Sequence, residues 1–237
     1  MLGGSEGPEP AMTEPYYTIF RFLHPAGAFL AFAVAPIVLV TAKGGRRHII
    51  AGRIFIVGML LGMTAGILLA AIRSPDPPAW SLFYLGLLGL FFTVTGYLAP
   101  LIARGAHVAY RWDRVLTIVG IIAGVALIAE DLPRLTLRSP VRESLTFGIF
   151  GLWVVVSHAR WKGARDPSRW RVEHFTSLLG AYTVIWWFIF GLYIRSLPET
   201  PRILIPTISG VVAILWARRR NWDAGPTTAP GALATIS

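Results

Sequence analysis

Seven stretches free of charged residues divide this chain: 22–42, 54–72, 77–103, 115–129, 144–159, 174–194 and 203–217. In hydrocarbon every backbone N–H and C=O must be satisfied within the protein, so long apolar stretches of this kind fold as helices. Crossing the core takes about 20 helical residues. The runs beginning at Phe22, Ile54, Pro77 and His174 have 19 to 27 residues, whereas those at Val115, Ser144 and Ile203 have 15 or 16. By length alone the three short runs read equally well as buried or re-entrant helices. With 54% of residues hydrophobic, 14% charged and a mean hydropathy of +0.60, the expected fold is an all-α, polytopic transmembrane helix bundle.

Charge separates the two readings of the short runs. If all seven cross, one face receives fifteen of the 22 Lys and Arg with four of the 12 acids. The other receives seven with eight, so the two faces carry net charges of +11 and −1. Omitting one short span scrambles this alternation. Because basic loops stay in the cytoplasm, the N-terminus is expected outside and the Arg218-Arg219-Arg220 segment inside. The formal charge of +10 then reads as a topological signal and not as an affinity for nucleic acid.

The expected division is an extracytoplasmic disordered tail over 1–17, a seven-span bundle over 18–219 and a disordered cytoplasmic tail over 220–237. The first sixteen residues hold Glu6, Glu9 and Glu14 among prolines, with no basic segment ahead of the apolar run, unlike a cleavable signal peptide. The chain has no cysteine, which excludes disulfides, thiolate metal sites and cysteine nucleophiles.

Helices in lipid approach one another closely where small residues recur every fourth position. Gly58, Gly62 and Gly66, continued by Ala70, form such a ladder, and His24, Ala28, Ala31 and Ala35 share one face of the first helix. His48, His158 and His174 lie at span ends on the basic side and are the candidate cofactor ligands, for a metal or a b-type haem held by two imidazoles. Lys43, Arg46, Arg47 and Arg53 are the candidate pocket for a lipid headgroup, a haem propionate or a phosphate. Every Asp and Glu falls at the flank of a span, an arrangement that argues against an intramembrane carboxylate relay. His107 reads as a solvated loop residue.

His24 followed by Lys43-Gly44-Gly45-Arg46-Arg47-His48-Ile49-Ile50-Ala51-Gly52-Arg53 resembles a group of bacterial multi-pass membrane proteins of unknown function. Their mark is a first-helix histidine and a K-G-G-x-x-H-x-x-x-G-R loop. The likeness extends more loosely to Thr95-Gly96-Tyr97 and His174, although Leu98 stands where that group commonly has arginine. It implies fold and location only.

The leading expectation is a non-enzymatic accessory or scaffold component of the bacterial cytoplasmic membrane, with lipid or another membrane protein as partner. A haem-binding redox protein is the alternative, and a small-solute transporter the third.

Overall fold

A computed structural model of the chain describes residues 14–73, 77–132, 143–161, 167–194 and 196–223. Seven helices follow one another: α1 (Glu14–Val40), α2 (Arg46–Arg73), α3 (Pro77–Ala103), α4 (His107–Asp131), α5 (Glu143–Trp161), α6 (Pro167–Tyr193) and α7 (Glu199–Asp223). Among the described residues there is no strand. Five helices are long and apolar enough to cross a membrane, within Tyr16–Val40, Arg46–Ile72, Trp80–Ala103, His107–Glu130 and Thr200–Arg219.

Membership of the five departs from the run lengths. The short runs at Val115 and Ile203 sit in helices of 25 residues each, because the helices continue through the charged positions that end the runs. The 21-residue run at His174 forms most of α6. The apolar part of α5 is shorter still, Leu145–Arg160.

Helix also invades both expected tails. Residues 14–17 open α1, with Pro15 in the first turn where its missing N–H costs nothing, and residues 220–223 close α7. The rest of those tails, 1–13 and 224–237, lies outside the described residues.

Two connections are tight because glycine adopts positive φ there. Gly44, at φ 80°, turns the chain between α1 and α2. Gly105, at φ 88°, ends α3: its N–H donates to the Ile102 carbonyl and that of Ala106 to the Leu101 carbonyl, the paired bonds of a Schellman cap.

The chain divides into two compact units, Met1–Leu90 and Phe91–Ser237, with the boundary inside α3. In the first, α1 lies along α2 on the glycine ladder. A Cβ at Gly58 would stand 2.9 Å from the Ala31 backbone nitrogen, one at Gly62 3.0 Å from that of Ala28, and one at Gly66 2.8 Å from His24 Nδ1. Gly27 fits reciprocally against Gly58 and Gly62. His24 Nδ1–H donates across the contact to the Gly62 carbonyl at 2.7 Å.

In the second unit α4 packs on α5 and α6 on α7. Gly148 lies against the Gly124 carbonyl and Ile128, and Gly210 against Thr183. Aromatic rings fill the spaces between: Trp187 lies 4.1 Å from Phe147, centroid to centroid, while its indole N–H donates to Thr207 Oγ1 at 3.0 Å. These contacts join the end of α4, the start of α5, the end of α6 and the start of α7, whereas Asp113, His158, Glu173 and Arg218 lie toward the opposite ends of the same helices.

Candidate functional site: a buried carboxylate–imidazole–carboxylate chain

Helical periodicity places Asp113 on the same face of α4 as Thr117, Gly120 and Gly124, all of them buried. Its neighbours Arg111, Trp112 and Arg114 face outward. On α6 Glu173 and Ser177 are one turn apart and both buried, while Arg171 is exposed. His158, in the last turn of α5, lies between these two faces.

The imidazole is bonded at both nitrogens. Nε2 is 2.8 Å from Asp113 Oδ1, and Nδ1 is 2.9 Å from Glu173 Oε2. Exposure falls to 0% for Asp113, 1% for His158 and 3% for Glu173, so Coulomb forces act here with little screening by water. The Phe91 ring meets the imidazole edge-on at 5.6 Å. Thr117 donates to the Asp113 backbone carbonyl at 2.7 Å and so adds nothing to the carboxylate's charge balance. From α7, Arg218 interacts electrostatically with Glu173 while its guanidinium lies 5.5 Å from the centre of the Trp153 ring. A charge read from sequence as part of the basic tail is therefore half-buried beside an acid.

Three side-chain oxygens of the cluster are buried without a hydrogen bond among the described residues: Asp113 Oδ2, Glu173 Oε1 and Ser177 Oγ. An unsatisfied buried carboxylate oxygen is expensive. A cluster that served only to fasten helices would gain by saturating it.

The expected cofactor ligands divide. In α6, His174 Nδ1–H donates to the Gly96 carbonyl of α3 at 2.7 Å, so the Thr95-Gly96-Tyr97 stretch and His174 meet directly. Gly96 permits this closeness, since a Cβ there would stand 2.7 Å from Leu178. His158 has each nitrogen on a carboxylate, so an iron bound there would have to displace one of them. His48 belongs to the first unit, where its Nδ1 is 3.2 Å from the Val38 carbonyl. No group of three or more His, Cys, Asp or Glu suited to a metal ion occurs among the described residues.

The expected anion pocket also resolves into two parts. Lys43 Nζ turns back onto the end of α1, donating to the Val38 and Leu39 carbonyls at 2.9 and 3.0 Å. Partial burial there pulls its pKa below the ordinary lysine value. Four final carbonyls of any helix lack intrahelical partners, and Lys43 serves two of them. Arg46, Arg47 and Arg53 remain exposed. His107 is likewise exposed, as the first residue of α4 and not in the loop before it.

The buried acids were missed because flank position was equated with solvent. A usable signal was nonetheless present in helical spacing. Asp113 precedes Gly120 and Gly124, and Glu173 precedes Gly180, by whole turns, which puts both acids on small-residue faces that meet helices.

No protein-family model, no curated protein and no solved structure matches this chain.

Proposed function

We propose that this chain is a seven-span protein of a bacterial cytoplasmic membrane, N-terminus outside and C-terminus in the cytoplasm. In this reading it is a non-enzymatic accessory or scaffold component whose basic face binds anionic headgroups or a protein partner. The observation that carries this reading is the division of labour at the α1–α2 turn. Lys43 and His48 are spent on the carbonyls ending α1, while Arg46, Arg47 and Arg53 project outward. Cations that close a helix end need no ligand, whereas three exposed guanidiniums beside an apolar helix suit lipid phosphates. The resemblance of the Lys43–Arg53 segment to bacterial multi-pass proteins agrees with this placement.

Absence of native cysteine makes the topology directly testable. A membrane-impermeant maleimide is expected to label S196C in intact spheroplasts and A106C only after permeabilisation. The reverse pattern refutes the orientation. Lipid binding is tested by native mass spectrometry from mixed nanodiscs: wild type retains phosphatidylglycerol over phosphatidylcholine, and the triple variant R46Q/R47Q/R53Q loses that preference.

One observation favours a second reading, a b-type haem. His174 and His48 each pin Nδ1 on a backbone carbonyl, a bond that fixes the tautomer with its lone pair on Nε2, as metal-ligating histidines do. A reduced-minus-oxidised absorption spectrum of the purified protein decides it: a Soret band lost in H174A supports haem, and a colourless preparation removes it.

A further inference from the structure

The buried cluster is more than a strut. We propose that Asp113, His158, Glu173 and Ser177 form a proton relay whose exchangeable proton is taken up at Glu173 Oε1, where the new O–H donates to Ser177 Oγ. This goes beyond the scaffold reading and does not depend on it.

Proton counting leads to this assignment. Two contacts, His158 Nε2 with Asp113 Oδ1 and His158 Nδ1 with Glu173 Oε2, are each short enough to hold one hydrogen. They hold two protons between them, shared among three groups. Those two protons have equivalent placements: an imidazolium between two carboxylates, or a neutral imidazole with one carboxylic acid. Passing from the first to the second breaks the Nδ1–H bond and forms an O–H bond at Oε2. The ring loses its positive charge, the carboxylate its negative charge, and the net charge is unchanged. A proton can therefore shift along the chain without separating charge inside the bundle.

Glu173 and Ser177 supply the place for a further proton. Glu173 Oε1 and Ser177 Oγ are fully buried and neither has a partner among the described residues. They stand one turn apart on the same face of α6, the spacing at which helical side chains meet. A third proton placed on Oε1 makes an O–H that donates to Ser177 Oγ, while Oε2 goes on accepting from His158. The cluster's net charge rises by one, and Glu173 Oε1 and Ser177 Oγ satisfy each other, while Asp113 Oδ2 gains no bond from it.

The groups around the site are Asp113 on α4, His158 on α5 and Arg218 on α7. On α6, His174 next to Glu173 is bonded to the Gly96 carbonyl of α3. The Phe91 ring of α3 meets the imidazole edge-on. Arg218 offsets the negative charge of the unloaded state and so keeps Glu173 able to release the proton again.

The test is pH-difference infrared spectroscopy of the full chain in lipid nanodiscs, across the range in which imidazoles and carboxyls titrate. Wild type is expected to show a carboxylic-acid carbonyl band that grows as pH falls and shifts in D2O. The band is lost in E173Q, retained in E173D, and displaced in S177A, which removes the acceptor for the new O–H. If Glu173 took up no proton, the band would not depend on that residue or on Ser177. Absence of such a band in wild type, its persistence in E173Q, or an unmoved band in S177A overturns the relay. Should E173Q fail to fold, the D2O shift in wild type and the displacement in S177A still decide the matter.

Discussion

The α1–α2 contact and the α4–α7 cluster hold helices together by opposite means. Along α1 and α2 the side chains are nearly abolished: Gly27, Gly58 and Gly62 bring backbone against backbone, and hydrogen bonds from His24 and His48 cross the contact. At the ends of α4 to α7, three ionisable side chains fill the interior and aromatic rings surround them. Lipid tails are as apolar as leucine, so helices in a membrane gain little from hydrophobic contact and must rely on close packing or polar bonds. One unit uses the first almost alone, and the other adds the second. The difference teaches where function is to be sought. Close packing of glycine has one favourable arrangement, whereas a chain of three titratable groups has several proton placements within one geometry.

The contrast is broken most severely at His158. Replacing it with leucine leaves Asp113 and Glu173 as two buried acids without the cation between them, a loss expected to cost about 3–5 kcal/mol. It would appear as a fall in folded yield or in the midpoint of thermal unfolding in detergent. H158L at wild-type stability would mean that water reaches the cluster and that the two units are more alike than they look.

Gly62→Val tests the other side. The new Cβ would stand 3.0 Å from the Ala28 backbone nitrogen, which belongs to a helix and cannot rotate away, so a cost of about 1–3 kcal/mol is expected. Scanning the ladder should give a graded series, with G66A the mildest because the His24 ring in its way can turn. Equal losses at Gly58, Gly62 and Gly66 would argue against backbone contact as the cause.

Smaller again is His24→Phe, which keeps the ring and removes the bond to the Gly62 carbonyl, at about 0.5–1.5 kcal/mol. Equilibrium unfolding in mixed detergent should resolve it from G62V. The smallest effect belongs to Lys43→Met, which strips two donors from the end of α1 and is expected to cost about 0.3–1 kcal/mol. A double variant with R46Q separates roles: the stability loss should come from Lys43 alone and the loss of lipid preference from Arg46.

Local chemistry made much of this legible in advance. The uncharged runs announced all seven helices, since apolar backbone away from water has few ways to satisfy its hydrogen bonds. Gly44, between the first two helices, and the Gly58–Gly62–Gly66 spacing could be read directly, because a positive φ and a four-residue stripe are properties of the nearest few residues. Helix ends were less legible. Glu14 to Tyr17 and Arg220 to Asp223 look like tail by composition, yet helix propagates through them once started.

Partnership is what tertiary structure alone decided. From the sequence, Asp113, His158 and Glu173 are three flank residues separated by 45 and 15 positions, and Arg218 is one of three consecutive arginines. Nothing in their local spacing distinguishes a solvated charge from a paired one. Only the packing of α4, α5, α6 and α7 brings the acids to both nitrogens of one imidazole and turns Arg218 inward beside Trp153. The physical reason is range. Secondary structure follows from interactions within a turn or so, whereas burying an ion is favourable only when its counterion arrives from another helix, and the fold determines which one that is.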